Sequence, residues 1–122
     1  MSDKPIAERL QVKPGRVLHV RGAAETIDEA IAAKDTRGDL AVADVILTFV
    51  ANRAMLEAEF TALKMATRPD SILWIAYPKL TSPLAVDLSR DIIHQLSPTF
   101  GLDTVSQIAI DADWSAMRMK RV

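Results

Sequence analysis

The sequence predicts an α/β fold, in which a single open sheet carries helices on both faces. Apolar segments of strand length alternate with segments of helical period, in the order strand, helix, strand, helix, strand, helix, then two strands. This order predicts a parallel core joined by right-handed crossovers and completed by a C-terminal antiparallel strand pair. The predicted strands are at about residues 16–20, 44–50, 71–77, 104–110 and 115–121.

The first third of the chain predicts one strand between two helices. Residues 6–10 predict a short helix, which ends at the Lys-Pro-Gly turn signal of residues 13–15. The strand at about 16–20 follows directly. Small residues then lead into a helix at about 26–33, for which Thr26 is the expected N-cap.

The middle of the chain has the strongest strand and helix signals. Residues 44–50 are almost continuously β-branched or apolar, which is typical of a strand covered on both faces. Asn52 is the expected N-cap of a helix over 53–66, whose apolar residues recur at helical spacing. A second buried strand follows at 71–77, and Pro78 is expected to end its paired ladder.

The last third predicts one helix and the strand pair. Apolar residues recur every four positions in the helix, namely Leu84, Leu88, Ile92 and Leu96. The helix starts either at Ser82 or as late as Ser89, and Ser-Pro at 97–98 with Gly101 marks its end. In the strand at 115–121, methionines alternate with charged residues, which predicts one covered and one wetter face.

Composition indicates one globular domain over residues 1–122, with 49% hydrophobic and 25% charged residues and a net charge of -1. The chain has no cysteine, so disulfides, thiolate nucleophiles and metal–thiolate centres are excluded, and a cytoplasmic location is expected. The balanced charge argues against nucleic acid as a partner. No membrane span or leader is expected, because the longest apolar stretch, residues 40–51, is too short and no apolar run follows residues 1–4.

Several segments resemble the class I S-adenosylmethionine-dependent methyltransferase fold, in which parallel strands lead to a C-terminal antiparallel pair. Residues 17–23 look like its first strand and glycine-rich loop, residues 44–49 like its fourth strand, and residues 68–75 like its proline turn and fifth strand. More narrowly, residues 13–18, 77–79 and 114–118 resemble a small bacterial family of unknown function, which has a shortened version of that fold. The resemblance covers nearly the whole chain and implies a fold, but no activity.

The sequence departs from the methyltransferase pattern at the cofactor loop. Alternate glycines would let the cofactor approach the backbone, whereas here Arg21, Ala23 and Glu25 surround a single Gly22. The interval between the first two predicted strands has room for one helix and a connector. The second and third strands of the full fold, with the acid that binds the ribose, therefore have no counterpart. We expect no cofactor and no catalytic residue.

A candidate ligand-binding crevice follows from the fold, because open α/β sheets bind ligands beyond the carboxyl ends of their strands. The residues at those ends are Arg21, Gly22, Ala23, Glu25, Asn52, Arg53, Tyr77, Pro78 and Lys79. Asn52 at a helix N-terminus, with cationic side chains nearby, suits a small anion such as a carboxylate or a phosphate. The alternative is that Asn52 serves only as a helix cap and that Arg21 pairs with Glu25 on the surface.

Other chemistry-bearing residues favour structural roles. Tyr77 and Lys79 stand on either side of a proline, which favours a loop over an acid–base pair. His19 favours a hydrogen-bonded interior position over a metal ligand, and no metal site is expected. The remaining interpretations are a solvated His94, a hairpin turn at Asp111 and Asp113, and core or interface positions for Trp74 and Trp114.

The leading functional interpretation is a non-catalytic methyltransferase-like domain that serves as a small regulatory or protein-interaction module. The alternative is a binder, or weak enzyme, of a small anionic or nucleotide-like ligand at the crevice. A homodimer is expected, because the strand at 17–20 would lie near a sheet edge and an apolar edge invites pairing. The connector at 39–42 is the alternative cover for that edge.

Overall fold

The computed structural model describes residues 5–66 and 70–121. In chain order the elements are α1 (Ile6–Arg9), β1 (Leu18–Arg21), α2 (Glu25–Ile31), β2 (Val45–Phe49), α3 (Arg53–Ala66), β3 (Ile72–Pro78), α4 (Arg90–Leu96), β4 (Leu102–Ala109) and β5 (Trp114–Arg121). Short 3-10 turns are at Lys34–Thr36, Leu40–Val42 and Ser97–Phe100. Arg68 and Pro69, where a proline turn is predicted, lie outside the described residues, as do residues 1–4.

The strands form one open sheet in the order β1-β2-β3-β5-β4. The strands β1, β2 and β3 are parallel, and β5 pairs antiparallel with both β3 and β4. The predicted α/β class, with its parallel core and its antiparallel strand pair, is therefore confirmed. All five residues of β2 are buried, as its continuous apolar composition predicts for a strand covered on both faces.

Each face of the sheet packs against its own helices. Strand residues such as Ile46 and Ile75 form one buried cluster with Leu56 and Phe60 of α3 and Ile93 of α4. The alternate strand residues face a second cluster, which includes Leu10, Leu18, Ile31, Leu47 and Trp74. The two-residue period of each strand therefore supplies apolar side chains to both layers, and both tryptophans pack in this second layer.

One predicted helix cap is wrong, and the structure decides between two predicted starts for another helix. The helix α2 begins after Ala24 with no side-chain cap, so the prediction of Thr26 as N-cap is wrong and Thr26 lies in the first turn. The helix α4 begins at the later of the two predicted positions, because the Ser89 side chain accepts a hydrogen bond from the Ile92 amide at 3.3 Å. Leu84 consequently lies in a loop and is 47% exposed.

The β3 ladder continues through Pro78, one residue further than the sequence predicts. Pro78 is the last residue of β3 and is paired with Trp114 of β5. The Lys79 amide then donates to the Asp113 carbonyl oxygen at 2.7 Å. A proline fits this strand end because the following residue supplies the N–H for the next interstrand hydrogen bond.

The connector between α2 and β2 covers the beginning of the outer edge of β1. Arg37 forms an isolated parallel bridge with Leu18, and the Gly38 amide donates to the Leu18 carbonyl at 3.1 Å. The Nδ1 atom of His19 lies 2.9 Å from the Gly38 carbonyl oxygen, so this half-buried histidine is hydrogen-bonded to backbone, as expected. The connector shields this edge with residues 37–38, and residues 40–42 form a 3-10 turn.

Candidate functional site

The carboxyl end of β1 is closed by backbone packing against β2. Gly22 has φ of +74°, and a Cβ atom placed on it would lie 2.9 Å from the Phe49 carbonyl oxygen. Glycine is needed here both for the positive φ and for the close approach of the two strand ends. The glycine therefore accommodates the neighbouring strand of this chain.

The side chain next to Gly22 is held in an ion pair that also includes a helix residue. Arg21 donates to Glu59 of α3 through Nε at 2.8 Å and through a second nitrogen at 3.2 Å. The buried Thr48 hydroxyl donates to the same carboxylate at 2.7 Å. Arg21 thus pairs with Glu59, and the proposed surface pairing with Glu25 is wrong.

The two charges of this pair stabilise each other. Hydrogen bonding from Arg21 lowers the pKa of Glu59 below its usual value, and the Thr48 hydroxyl acts in the same direction. The hydrogen bond to Glu59 likewise raises the pKa of Arg21. A cavity of about 440 Å³ beside the pair is lined by Arg21, Gly22, Thr48, Phe49, Met55, Ala58 and Glu59. Because its cation and its anion are already paired, this cavity offers no unpaired charge to a ligand.

The N-terminus of α3 already binds a carboxylate of this chain. The Asn52 side-chain oxygen accepts from the Met55 amide at 2.9 Å, so the predicted N-cap is confirmed. An Asp87 carboxylate oxygen accepts from the Arg53 amide at 2.7 Å. The position that the sequence suggested for a small anion is therefore filled by Asp87, which comes from the loop before α4.

The third strand end contributes to a different cavity. Tyr77 is 3% exposed and Lys79 follows β3 in a loop, as the sequence predicts. Burial raises the pKa of the Tyr77 phenol. This second cavity, also about 440 Å³, is lined by Tyr77, Lys79, Leu80, Thr81, Ser89, Arg90, Asp91, Gln107 and Ser115. We call it the Tyr77 cavity.

The structure thus divides the predicted crevice residues between two places. Arg21 and Gly22 line the first cavity, whereas Tyr77 and Lys79 line the Tyr77 cavity. The remaining crevice residues line neither of these two cavities: Ala23, Glu25, Asn52, Arg53 and Pro78. Sequence analysis missed Thr48, Glu59 and Asp87, because each meets its partner only through the tertiary fold.

Asp111, one of the acidic residues considered for a cation site, has a role in the turn between β4 and β5. Asp111 accepts from the amides of Asp113 and Trp114, both at 2.8 Å, which is the hydrogen bonding of a hairpin turn. Within residues 5–66 and 70–121, no group of three or more metal-binding side chains comes together. None of the helices in those ranges is long and apolar enough to cross a bilayer.

Comparison with solved structures identifies methyltransferase folds. An O-methyltransferase family 2 protein from Planctomyces limnophilus has a TM-score of 0.62 at 16% identity, covering 88% of this chain and 50% of its own. A ribosomal protein methylase from Lactobacillus delbrueckii has a TM-score of 0.58 at 12% identity, covering 93% and 73%. A TehB-like S-adenosylmethionine-dependent methyltransferase from Corynebacterium glutamicum has a TM-score of 0.56 at 10% identity, covering 94% and 85%.

These identities are too low to carry an activity across. No protein-family model and no curated protein matches the sequence, so the narrower resemblance to a small bacterial family stays a prediction. The similarity to solved structures, together with the sheet order, supports one conclusion, which concerns the fold. This chain has the class I methyltransferase-like fold.

Proposed function

We propose that this chain is a non-catalytic methyltransferase-like domain that acts as a small regulatory or protein-interaction module in the cytoplasm. The observation that carries the proposal is the packing at Gly22, where the strand end approaches the Phe49 carbonyl instead of leaving a cradle for a cofactor. The Arg21–Glu59 pair beside it supports the same interpretation. These residues do not fit S-adenosylmethionine, on which one solved neighbour, the TehB-like methyltransferase, is named as dependent.

Titration calorimetry with S-adenosylmethionine and S-adenosylhomocysteine tests this proposal. We expect no binding with a dissociation constant below about 1 mM, equivalent to about 4 kcal/mol of binding free energy. A class I methyltransferase titrated in the same buffer is the positive control. Micromolar binding of either compound would contradict the proposal, because it would require the backbone around Gly22 to move away from Phe49.

The proposed module works as a homodimer. Arg37 and Gly38 occupy the beginning of the β1 edge that the sequence offered for pairing, so we place the contact on the loop before α4. In this loop Leu84 is 47% exposed and Val86 is 77% exposed. These two exposed apolar side chains are the proposed contact, and a second copy in a closed two-fold dimer is the simplest occupant.

The loop is held in place by polar contacts at both ends. The Ser82 hydroxyl donates to an Asp113 carboxylate oxygen at 2.8 Å, and Asp87 accepts from the Arg53 amide. These contacts order the backbone between them before any partner arrives. Pre-ordering lowers the entropic cost of association, so a small apolar surface can contribute more to binding.

A further inference from the structure

The Tyr77 cavity lies at the end of β3, apart from the Arg21–Glu59 pair. Residues from the strand end, the loop after it, the start of α4 and the two C-terminal strands line it. Its volume of about 440 Å³ falls within the range of small-molecule sites in proteins. Tyr77 and Lys79 are the residues that it shares with the predicted crevice, and the proposed interaction role assigns no function to this space.

The Tyr77 side chain has an unmet hydrogen-bonding requirement in this cavity. The residue is 3% exposed, and its hydroxyl is buried with no partner of good hydrogen-bond geometry. Burial is the main influence on the phenol pKa; the charge of Arg90, a hydrogen-bonding contribution from Ser115 opposite Tyr77 in the β3–β5 ladder, and the charge of Asp91 follow, so these three side chains lie close to the hydroxyl. All three also line the cavity, so the hydroxyl is oriented toward this polar part of its wall. Burying a hydroxyl without a partner is unfavourable, and a ligand atom at this position would relieve the cost.

The charges around the cavity favour an anion. Lys79 and Arg90 are cationic and Asp91 is the one acidic residue among the lining residues, so the net charge of the lining is positive. The Arg90–Asp91 contact is long, at 3.8 Å, and its side chains are 67% and 82% exposed. Such an exposed contact is weak, so Arg90 is available to turn toward a ligand.

We propose that the Tyr77 cavity binds a small organic carboxylate with an apolar body. The Tyr77 hydroxyl donates a hydrogen bond to the carboxylate, and Arg90, with Lys79, supplies the positive charge. Leu80, which is 74% exposed at the same cavity, packs against the apolar part. This proposal does not rest on the proposed function, since neither cofactor loss nor dimer formation depends on the cavity.

Benzoate is the probe for this site, and benzamide is its uncharged match in shape. The isotopically labelled chain is titrated with each compound and followed by two-dimensional amide NMR. We expect benzoate to shift the amide signals of Gln107 and Ser115 saturably, with a dissociation constant of about 1–10 mM. We expect benzamide to bind at least about fivefold more weakly, because a charge-assisted hydrogen bond is stronger than a neutral one.

Two variants separate recognition from folding. Tyr77→Phe removes only the hydroxyl, so we expect an unchanged or higher melting temperature and at least about fivefold weaker benzoate binding. Arg90→Gln tests the charge independently, and Arg53→Gln, outside the cavity, is its control. Benzoate binding that both Tyr77→Phe and Arg90→Gln leave unchanged would overturn the proposal. So would equal binding of benzamide, a response to inorganic phosphate alone, or no saturable shift.

Discussion

At the scale of single residues, Gly22 combines two requirements that other glycines in the chain meet only in part. Gly22 and Gly101 both have φ of +74°, but a Cβ atom would meet the Phe49 carbonyl only at Gly22. At Gly101 nothing lies within 4 Å of that position. Comparing Gly22 with Gly101 therefore separates the free-energy cost of the backbone conformation from that of the close contact.

Alanine substitution at the two glycines measures this difference. Gly101→Ala should lower the free energy of unfolding by about 1 kcal/mol, since a positive φ is unfavourable for residues with a Cβ atom. Gly22→Ala should cost about 2–4 kcal/mol, because the contact with Phe49 adds strain in a packed region. Urea unfolding checks both values. Equal losses for the two variants would mean that the strand ends can separate freely.

Glu59 makes folding stability depend on pH in a direction that follows from its lowered pKa. The ordinary pKa of the group is 4.5, and pairing with Arg21 holds the folded-state value below it. The stabilisation is therefore fully present above about pH 5 and is lost as the pH falls through the folded-state value. At pH 7, Glu59→Gln should lower stability by about 1 kcal/mol, a modest value for a partly exposed pair.

The difference between the wild type and Glu59→Gln should shrink as the pH falls below about 4. Thermal unfolding across pH 3–7, a range of about four units around the carboxylate titration, measures it. The matched control is Glu57→Gln, because Glu57 pairs with Arg53 on the exposed surface at 3.4 Å. A difference that grows toward low pH would contradict the assigned sign.

Sequence reasoning succeeded for residues whose partners are local and missed those whose partners are distant. The Asn52 cap acts on Met55, three positions away, and its residue type alone indicates the role. Glu59 meets Arg21 across 38 positions, and Asp87 meets Arg53 across 34. Neither acid differs in local pattern from an ordinary surface carboxylate, so only the tertiary fold reveals its partner.

At the scale of elements, α3 and the loop before α4 stabilise each other through Asp87. Removing this carboxylate leaves the Arg53 amide without its acceptor and frees one end of the loop. Asp87→Ala should lower the free energy of unfolding by about 0.5–2 kcal/mol, as the loss of a helix cap does. Asp87→Asn, which keeps the side-chain oxygen, should recover most of this loss.

Urea unfolding of these two variants measures the effect, with Asp91→Ala as the control at an exposed acid on α4. Added sulfate should partly restore Asp87→Ala, because the emptied position at the N-terminus of α3 suits an anion. The same sulfate concentration should affect Asp91→Ala no more than the wild type. If Asp87→Ala had the same free energy of unfolding as the wild type, the loop would be held by other contacts.

The strands were more predictable than the helix starts. The strand β2 is buried at every position, and its continuous apolar composition predicts such a strand. The start of α4 was open because Leu84 falls on the same four-residue spacing as Leu88, although only Leu88 is buried. Spacing alone cannot distinguish a loop position from a helix position when both are leucine. Here the Ser89 cap fixes where the helix begins.

At the scale of the whole molecule, the order of elements was enough to predict the fold but not the site. The sheet order follows from alternating strands and helices together with the terminal strand pair. The predicted crevice residues are divided between separate places, because contacts between residues distant in sequence shape the strand ends. Gly22 packs against Phe49 beside a cavity whose charges are paired, and Asp87 accepts from the Arg53 amide at the N-terminus of α3. Among these three strand ends, the end of β3 has a cavity beside a buried hydroxyl that makes no hydrogen bond of good geometry within the described residues.

Assembly is tested by light scattering coupled to size exclusion at micromolar concentrations. We expect twice the monomer mass of 13.4 kDa for the wild type. Val86→Glu should shift the mass to the monomer, because it places a charge in the proposed apolar contact. Val105→Glu is the control, since Val105 is 50% exposed at a bulge in the β4 edge.

A wild-type mass near 13.4 kDa would end the dimer proposal. Loss of the dimer in Val105→Glu alone would instead place the contact on the sheet edge. Neither result depends on whether the Tyr77 cavity binds benzoate.

Because β5 lies between β3 and β4, the sheet cannot be completed during translation until β5 has been made. The parallel strands β1 to β3 emerge first, yet β3 has no neighbour on its outer side until residues 114–121 are made. Until then β3 exposes an unpaired, strongly apolar edge, the kind of surface that attaches nascent chains to one another. The strand β5, which is translated after the other four, is thus the one that pairs with the exposed edge of β3, and a chain truncated before residue 114 is expected to aggregate.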